Sequence, residues 1–545
     1  MVRISRFGCC SLILIAAACG KVAPEPGNDM DAPPSSGDAP PASGDAAVDG
    51  PPVPTEEHTL TVTREGTGAG SVTSTAASHG DVAGIQCGVD CRETYPAGTT
   101  VTLRATTAAG STFIGWSGAG ASCTGTECTV TVDAEVTVTA TFNLNQCTPS
   151  TTTCDNPTGE LIVCDASGNA TSTSCALGCH PTIERCNDLL PSNGMASELD
   201  AAANAPDIVL GDGAVIDTSN GTVTVNNEAV TIPSAVIEQT GGPSIRVFRV
   251  KSLLLNDATV TGTRALAIVS HGDITMRGTL LVNAVGTRGA AGAVGSCANG
   301  PAGLGNSGGA AGDSSILFTG GSGGGFATRG EAGGGDGWGT PGAPASASVS
   351  NLTLSPLRGG CPGGSNQDNG GAVRAVGGGA GGAVQLVSRV AIHIVQNGAD
   401  VGRIHVGGGG GGPGCTGASC VGGTGGGSGG GILLEAPVVT VSGDGVLLAS
   451  NGGGGGGACS SAGSDSQLST SAATGSCGAG NGSTGSGSAT SGATPEEPPV
   501  GAFSGGAGGG GGRGVVRVNN ATGSFSPANG ARISASVSSG MAGRR

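Results

Sequence analysis

A chain of 545 residues with 110 Gly and 28 Pro gives about a quarter of its positions to the two residues that interrupt regular structure. Hydrophobic residues still reach 37% while aromatics supply only 2%, so Val, Ile, Leu and Ala must build any core, which favours several thin, strand-built modules over one bulky interior. A net charge of −16 with 23 basic residues excludes nucleic acid as a partner, because phosphate binding needs a Lys/Arg surface.

The first residues, "MVRISRFGCCSLILIAAACGK", place Arg3 and Arg6 before an apolar run from Phe7 to Ala18 that is too short to span a bilayer. "AAAC", ending at Cys19, resembles the lipobox of bacterial lipoproteins, with Ala16 where that motif more often has Leu or Val. The resemblance implies that residues 1–18 are a lipoprotein signal peptide, cleaved before Cys19, and that Cys19 carries diacylglycerol on its sulfur. An ordinary secretory signal is the competing reading. A lipid anchor makes the membrane a partner and places the protein in the cell envelope, at the outer membrane and exposed on the surface. Residues 19–57 are an acidic Pro/Ser-rich tether, eight acidic residues against Lys21 alone, which self-repels and lifts the later modules off the membrane.

From His58 the texture turns to alternation. Pairs such as Leu60 and Val62, Val101 and Leu103, Val130 and Val132, and Val136 and Val138 mark period-2 strands between Gly-rich turns, with Phe113 and Trp116 expected as the main bulky core residues. Through "LTVTREGTGAGSV", "CGVDC", "AGTTVTLRA", "FIGWSG" and "VTVTATF", residues 58–143 resemble the divergent internalin-type B-repeat of bacterial surface proteins. That resemblance implies a β-grasp-like spacer or adhesive unit without catalysis. Cys87 with Cys91 and Cys123 with Cys128 read as local disulfides of an exported protein, a four-cysteine zinc site being the alternative.

Residues 147–190 form a Cys-rich connector, in which Cys147, Cys154, Cys164, Cys175, Cys179 and Cys186 replace a core too small to build. Three bridges are expected, and the spacing does not choose among the fifteen pairings that six cysteines allow. His180, alone among oxidisable cysteines, reads as a surface residue rather than a metal ligand.

Residues 205–545 repeat one unit. "ALAIVSHGDITMRGTLLVNA" and "GILLEAPVVTVSGDGVLLAS" each read as strand, break, strand, Gly turn, strand; 383–406 fits with a longer turn and 514–537 is a weaker copy. Three short strands per unit, none able to bury a face alone, predict a parallel β-helix, right-handed as such solenoids usually are. Its inward positions would be Leu266, Ile268, Ile274, Met276, Leu280, Val282, Ile392, Ile394, Ile404, Val406, Val439, Val441 and Leu447. The whole chain is thus all-β: a β-grasp-like module, a disulfide-rich connector and a parallel β-helix with long Gly-rich loops.

Those loops, residues 286–382, 407–430 and 451–513, differ in length, so they must leave the stack at a corner. Gly loses the most entropy on ordering, which favours mobile chain; the alternative is that runs such as Gly407–Gly412 and Gly452–Gly457 stack as extended polyglycine helices bonded backbone to backbone. Cys415 with Cys420 would close a small loop, and Cys297 with Cys361 and Cys459 with Cys477 would staple two inserts. Of 19 cysteines, setting aside Cys9, Cys10 and Cys19 leaves an even number for pairing. The texture resembles the β-helical domains of bacterial surface proteins and secreted adhesins, and Gly-rich lipoproteins of myxobacteria.

No catalytic constellation emerges, and no cofactor or metal is expected. The expectation is a non-catalytic adhesive or extracellular structural protein, with glycans or surface proteins as candidate partners. The alternative is a carbohydrate-active β-helix enzyme, a polysaccharide lyase or hydrolase, which needs clustered carboxylates. Asp207, Asp212 and Asp217 at five-residue spacing, with Asp257, Asp273 and His271, would make such a patch; turn aspartates explain them more simply. "GGGDGWG" around Asp336 lacks the nonapeptide of a calcium roll, and ice or mineral binding would need a regular Thr ladder.

Overall fold

Period-2 alternation in Glu127–Val132 buries Cys128, Val130 and Val132 and leaves the residues between them exposed, and Thr99–Thr107 does the same with Val101, Leu103 and Ala105. The computed structural model describes residues 56–75, 84–118, 121–155, 158–180, 182–294, 319–335, 342–343, 346, 352–367, 373–416, 419–420, 422–457, 460–476 and 506–545. The residues expected to form the signal peptide, Cys19, the expected tether to residue 55, Cys297, Asp336, Cys459 and Cys477 lie outside the described residues.

Two sheets make the first module. One runs Arg92–Pro96, Glu57–Glu65, Val136–Leu144, Ser111–Gly118, with its two central strands parallel; the other has five antiparallel strands, from Gln86–Cys87 to Ala121–Thr124. Between them pack Leu60, Val62, Val72, Val101, Leu103, Val130 and Val138, with Tyr95 and Phe142 as the large, fully buried rings. This corrects the expectation for Phe113 and Trp116. Both sit on Ser111–Gly118, whose register shifts between Phe113 and Gly115, and they only lean on the core, Phe113 at 5.3 Å from Phe142. Gly70 is required here, since a Cβ would fall 2.2 Å from the Phe142 ring.

The connector is held by Cys147–Cys164, Cys154–Cys179 and Cys175–Cys186, one of the fifteen pairings open to the sequence. Its Leu177, with Leu189, Met195 and Leu199, already belongs to the packing of the next module.

That module is a three-sided parallel β-helix. Each coil contributes one strand to each of three sheets: Ile245–Val250, Ser252–Leu255 and Ala258–Thr261 in one coil, then Ala265–Ser270, Ile274–Met276 and Thr279–Leu281 in the next. Two further coils are Ala383–Ser388, Ala391–Asn397, Arg403–His405 and Gly431–Glu435, Val438–Ser442, Leu447–Ala449. Register is kept throughout. Phe248, Ile268, Leu386, Leu434 and Val518 stack along the first sheet, Leu255, Met276, Ile394 and Val441 along the second, and Ala258, Leu280, Ile404, Leu448 and Ile533 along the third. These side chains form one continuous core.

Leu447 is the exception to the inward positions read from the sequence. Gly443 and Gly445 both take positive φ, +126° and +76°, and the turn they make delivers Val446 and Leu448 to the core and turns Leu447 outward. A one-residue change in phase exchanges the faces of the whole strand.

The first sheet is covered on its outer side too, by Leu189, Met195, Leu199 of the short helix Ala196–Ala201, and by Phe326, Leu354 and Leu357. That is why Ala265–Ser270 and Ala383–Ser388 are buried at every residue instead of alternating, with Gln385 a polar residue inside the second. Arg389 and Arg545 both bridge Asp188 and Asp200, tying the connector, the helix, the third coil and the last strand together; the Arg545 hydrogen bond holds the Asp200 carboxyl below its usual range. At the other end, Thr222–Val225 and Glu228–Val230 form an antiparallel hairpin on Ala214–Asp217, turned by Asn226 and Asn227, both at positive φ.

Candidate functional site

All three Gly-rich inserts leave the solenoid at one corner, between a third-sheet strand and the following first-sheet strand: after Leu281, after His405 and after Ala449. Because the coils stack, the inserts emerge one above another and meet. The second, at residues 422–430, runs through the middle.

Its hydrogen bonds repeat every three residues. Gly423, Gly426 and Gly429 donate to Gly506, Gly509 and Gly512; Thr424, Gly427 and Gly430 donate to Gly412, Gly409 and Val406; Gly425 and Ser428 donate to Gly364 and Cys361. In return its carbonyls accept from Gly321 and Gly324, from Gly453 and Gly456, and from Gly378 and Gly381. Six extended segments therefore surround it, at 2.7–3.3 Å for the bonds it donates. An extended left-handed helix with three residues per turn makes no internal hydrogen bonds and points successive peptides to three sides; here each side finds a neighbour. No space remains for side chains: a Cβ on Gly425 would lie 1.9 Å from the Ser322 carbonyl oxygen. Thr424 and Ser428 are admitted because their hydroxyls join the same network, Thr424 Oγ1 to the Val376 carbonyl at 2.9 Å and Cys361 N–H to Ser428 Oγ at 2.7 Å.

The described Gly runs are thus an ordered polyglycine bundle, which decides between the two readings of the inserts. Mobile chain is the simpler expectation because a lone Gly run gains nothing on ordering; the solenoid corner brings several together, so each peptide finds partners.

Two ionisable groups are buried where the bundle forms. His405, 4% exposed on the outer side of the third sheet, meets Ser466 Oγ at 3.0 Å, while Asp465 accepts from the N–H groups of Gly286 and Gly410 at 2.8 Å. Burial lowers His405 to about 4, against the opposing pull of Asp465. Glu331, 8% exposed, accepts from Gly510 N–H at 3.3 Å, and burial raises its carboxyl to about 7.

A third buried ionisable residue, an acid, is fully partnered. Glu435 accepts from Ser192 Oγ at 2.7 Å, Ser192 N–H at 3.1 Å, Gln385 Nε2 at 2.6 Å and Asn519 Nδ2 at 2.9 Å, fastening the segment before the helix to three coils. Glu435→Ala leaves these donors unmet in a dry site and is expected to cost about 3 kcal/mol, read from chemical denaturation of the full chain.

The six acid-patch residues do not converge. Asp207 opens a second-sheet strand and accepts from Ser252 Oγ; Asp217 ends a third-sheet strand and caps Ser219 N–H at 2.7 Å; Asp257 accepts from Thr279 N–H at 2.6 Å. Asp212 lies in the corner between strands, Asp273 precedes Ile274–Met276, and His271 Nδ1 faces Arg389 at 3.1 Å. Among the described residues no group of three or more His, Cys, Asp or Glu is placed to hold a metal. His180 is half-buried beside Thr182.

The third sheet's outer face carries two open grooves on either side of residues 467–470. One, of 350 Å³, is lined by Asp257, Thr259, Thr279, Leu281 and Leu468; the other, of 450 Å³, by Asp444, Leu447, Ser469, Thr470 and Arg532. Neither groove is readable in sequence, since the wall comes from an insert and the floor from successive coils.

Disulfides join Cys87 to Cys91 and Cys123 to Cys128, so these cysteines are covalently paired rather than arranged as zinc ligands. Cys361 is disulfide-bonded, and Cys415 faces Cys420 in a short antiparallel backbone pairing. No curated protein and no solved structure matches the chain. Residues 59–146 match the family described as the divergent InlB B-repeat domain, which identifies the first module.

Proposed function

We propose that the protein is a lipid-anchored component of the bacterial cell envelope, with an adhesive or structural role outside the membrane and no catalytic one. The observation that carries this reading is the B-repeat domain at residues 59–146. Two features support it. The disulfides of the first module and connector belong to an oxidising compartment. The aspartates that a polysaccharide lyase or hydrolase would gather are spread over different sides of the solenoid. Cys19 supplies the anchor and the acidic tether the distance from the membrane; the grooves on the third sheet offer polar rims and an apolar floor to glycans or to other surface proteins.

Lipid labelling of the wild type and Cys19→Ala, with membrane fractionation, tests the anchor. Label and membrane association are expected for the wild type and lost in the variant; an unlabelled wild type, or a variant still fractionating with membrane, removes the anchor from the proposal. A glycan-array screen run beside a reducing-end release assay tests the role: binding without turnover is expected, and turnover overturns it.

A further inference from the structure

The two ends of the solenoid are finished differently. At the N-terminal end the first and third sheets stop in antiparallel strands, Ser234–Ile237 and the Thr222–Val230 hairpin, which interrupt the parallel stack. At the C-terminal end the first sheet stops in Ser536–Met541, parallel to Val515–Asn520, and among the described residues no strand pairs with its other side.

Among the described residues this edge lacks the usual protection. "SVSSGM" contains no charge and no Pro, and its exposure alternates, with Val537 49% and Met541 52% exposed. Ser536 N–H bonds to Gly514 and Ala542 N–H to Asn520, so the even-numbered residues aim their backbone groups at the solenoid. By the alternation of a strand, Val537, Ser539 and Met541 aim theirs away from it. Just behind, Phe525, Ala531 and Ile533 close the end of the core while only partly buried.

We infer that this edge is an interface with a second copy of the same chain, joined end to end about a twofold axis through Ser539. Antiparallel pairing centred there sets Val537 opposite Met541 of the second copy and Ser539 opposite its counterpart. Each of these pairs is of the hydrogen-bonded kind, because all three residues point their N–H and C=O outward. The two exposed apolar side chains then cover one another across the axis, as an isologous interface requires. A self-complementary edge selects a second copy over an unrelated partner, and the same contact would cover the exposed end of the core. The pairing is independent of the proposed anchoring.

Sedimentation of the purified full chain up to about 100 µM tests it. A reversible dimer is expected, with amide exchange at Val537, Ser539 and Met541 slowing as concentration rises. Val537→Lys, which sets a charge against Met541, and Ser539→Pro, which removes an outward N–H that no described residue uses, are each expected to raise the dimer Kd at least about tenfold with the melting temperature of the monomer unchanged. A chain that stays monomeric, or a dimer whose Kd neither variant moves, overturns the inference. Should either variant fail to fold, the concentration dependence of exchange in the wild type decides alone: its absence is equally fatal.

Discussion

Gly427→Ala is expected to destabilise the protein by about 3 kcal/mol or more, with the bundle opening before the solenoid. A Cβ at this position would lie 1.9 Å from the Gly379 carbonyl oxygen and 2.6 Å from its carbon. Backbone rather than a flexible side chain blocks it, so relief requires moving a hydrogen-bonded segment, and Gly427 itself donates to Gly409 and accepts from Gly453. Opposing this, replacing Gly stabilises by up to about 1 kcal/mol through the unfolded chain. The clash and the two hydrogen bonds outweigh that gain. Gly211→Ala is the matched control: its Cβ would meet only Val225 Cγ1, at 3.9 Å, and the expected change is within about 0.5 kcal/mol. Calorimetry of both variants, with amide exchange across 406–430, decides the matter; a Gly427→Ala protein as stable as its parent, with those amides still protected, removes the bundle.

The solenoid was legible in the sequence because a short strand has only two faces and its apolar triplets recur, so Ile274, Met276, Ile392 and Ile394 could be assigned inward without knowing their neighbours. Leu447 failed for a local reason: its phase is set by the Gly443–Gly445 turn, and a turn's conformation is not written in hydrophobicity. The acid patch, which the sequence already disfavours against turn aspartates, does not form for a geometric reason. The stretch from Asp207 to Asp217 covers one strand, one corner and the next strand, so the two five-residue steps pass from the second sheet through a corner to the third instead of returning to one face. In the first module, Tyr95 and Trp116 both lie on edge strands of one sheet; Tyr95 falls on a regular strand that turns it inward, whereas the register of Ser111–Gly118 shifts between Phe113 and Gly115, a distinction that needs the strand pairing. The bundle was least legible. A Gly run states which chain can approach closely but not which neighbour it approaches, and the one clue in the sequence is that inserts of unequal length must leave the stack at a turn.

The bundle also buries two ionisable groups, at separate places, whose effects on stability oppose each other. Burial raises Glu331 from an ordinary carboxyl value of 4.5 to about 7, so the folded chain holds that proton more tightly than the unfolded one. The stability it contributes is full below pH 4.5 and is lost as pH rises to about 7, by about 3 kcal/mol for a displacement of this size. His405 is displaced the other way, from 6.5 to about 4, so here the unfolded chain holds the proton more tightly. Its contribution is full above pH 6.5 and is lost as pH falls to about 4, again by about 3 kcal/mol. Between these limits the two nearly cancel, and the wild type is expected to show little net dependence from this pair. Each single variant exposes the other member. Glu331→Gln should become acid-sensitive, losing about 3 kcal/mol between pH 6.5 and 4, and His405→Gln should become base-sensitive, losing about 3 kcal/mol between pH 4.5 and 7. Urea denaturation of the wild type, both variants and the double variant across this range measures the differences, in which the remaining carboxylates drop out. Parallel profiles for all four proteins would mean that neither group is buried as described, and with them would go the burial of His405 against Ser466 and of Glu331 among the polyglycine segments on which the two displacements depend.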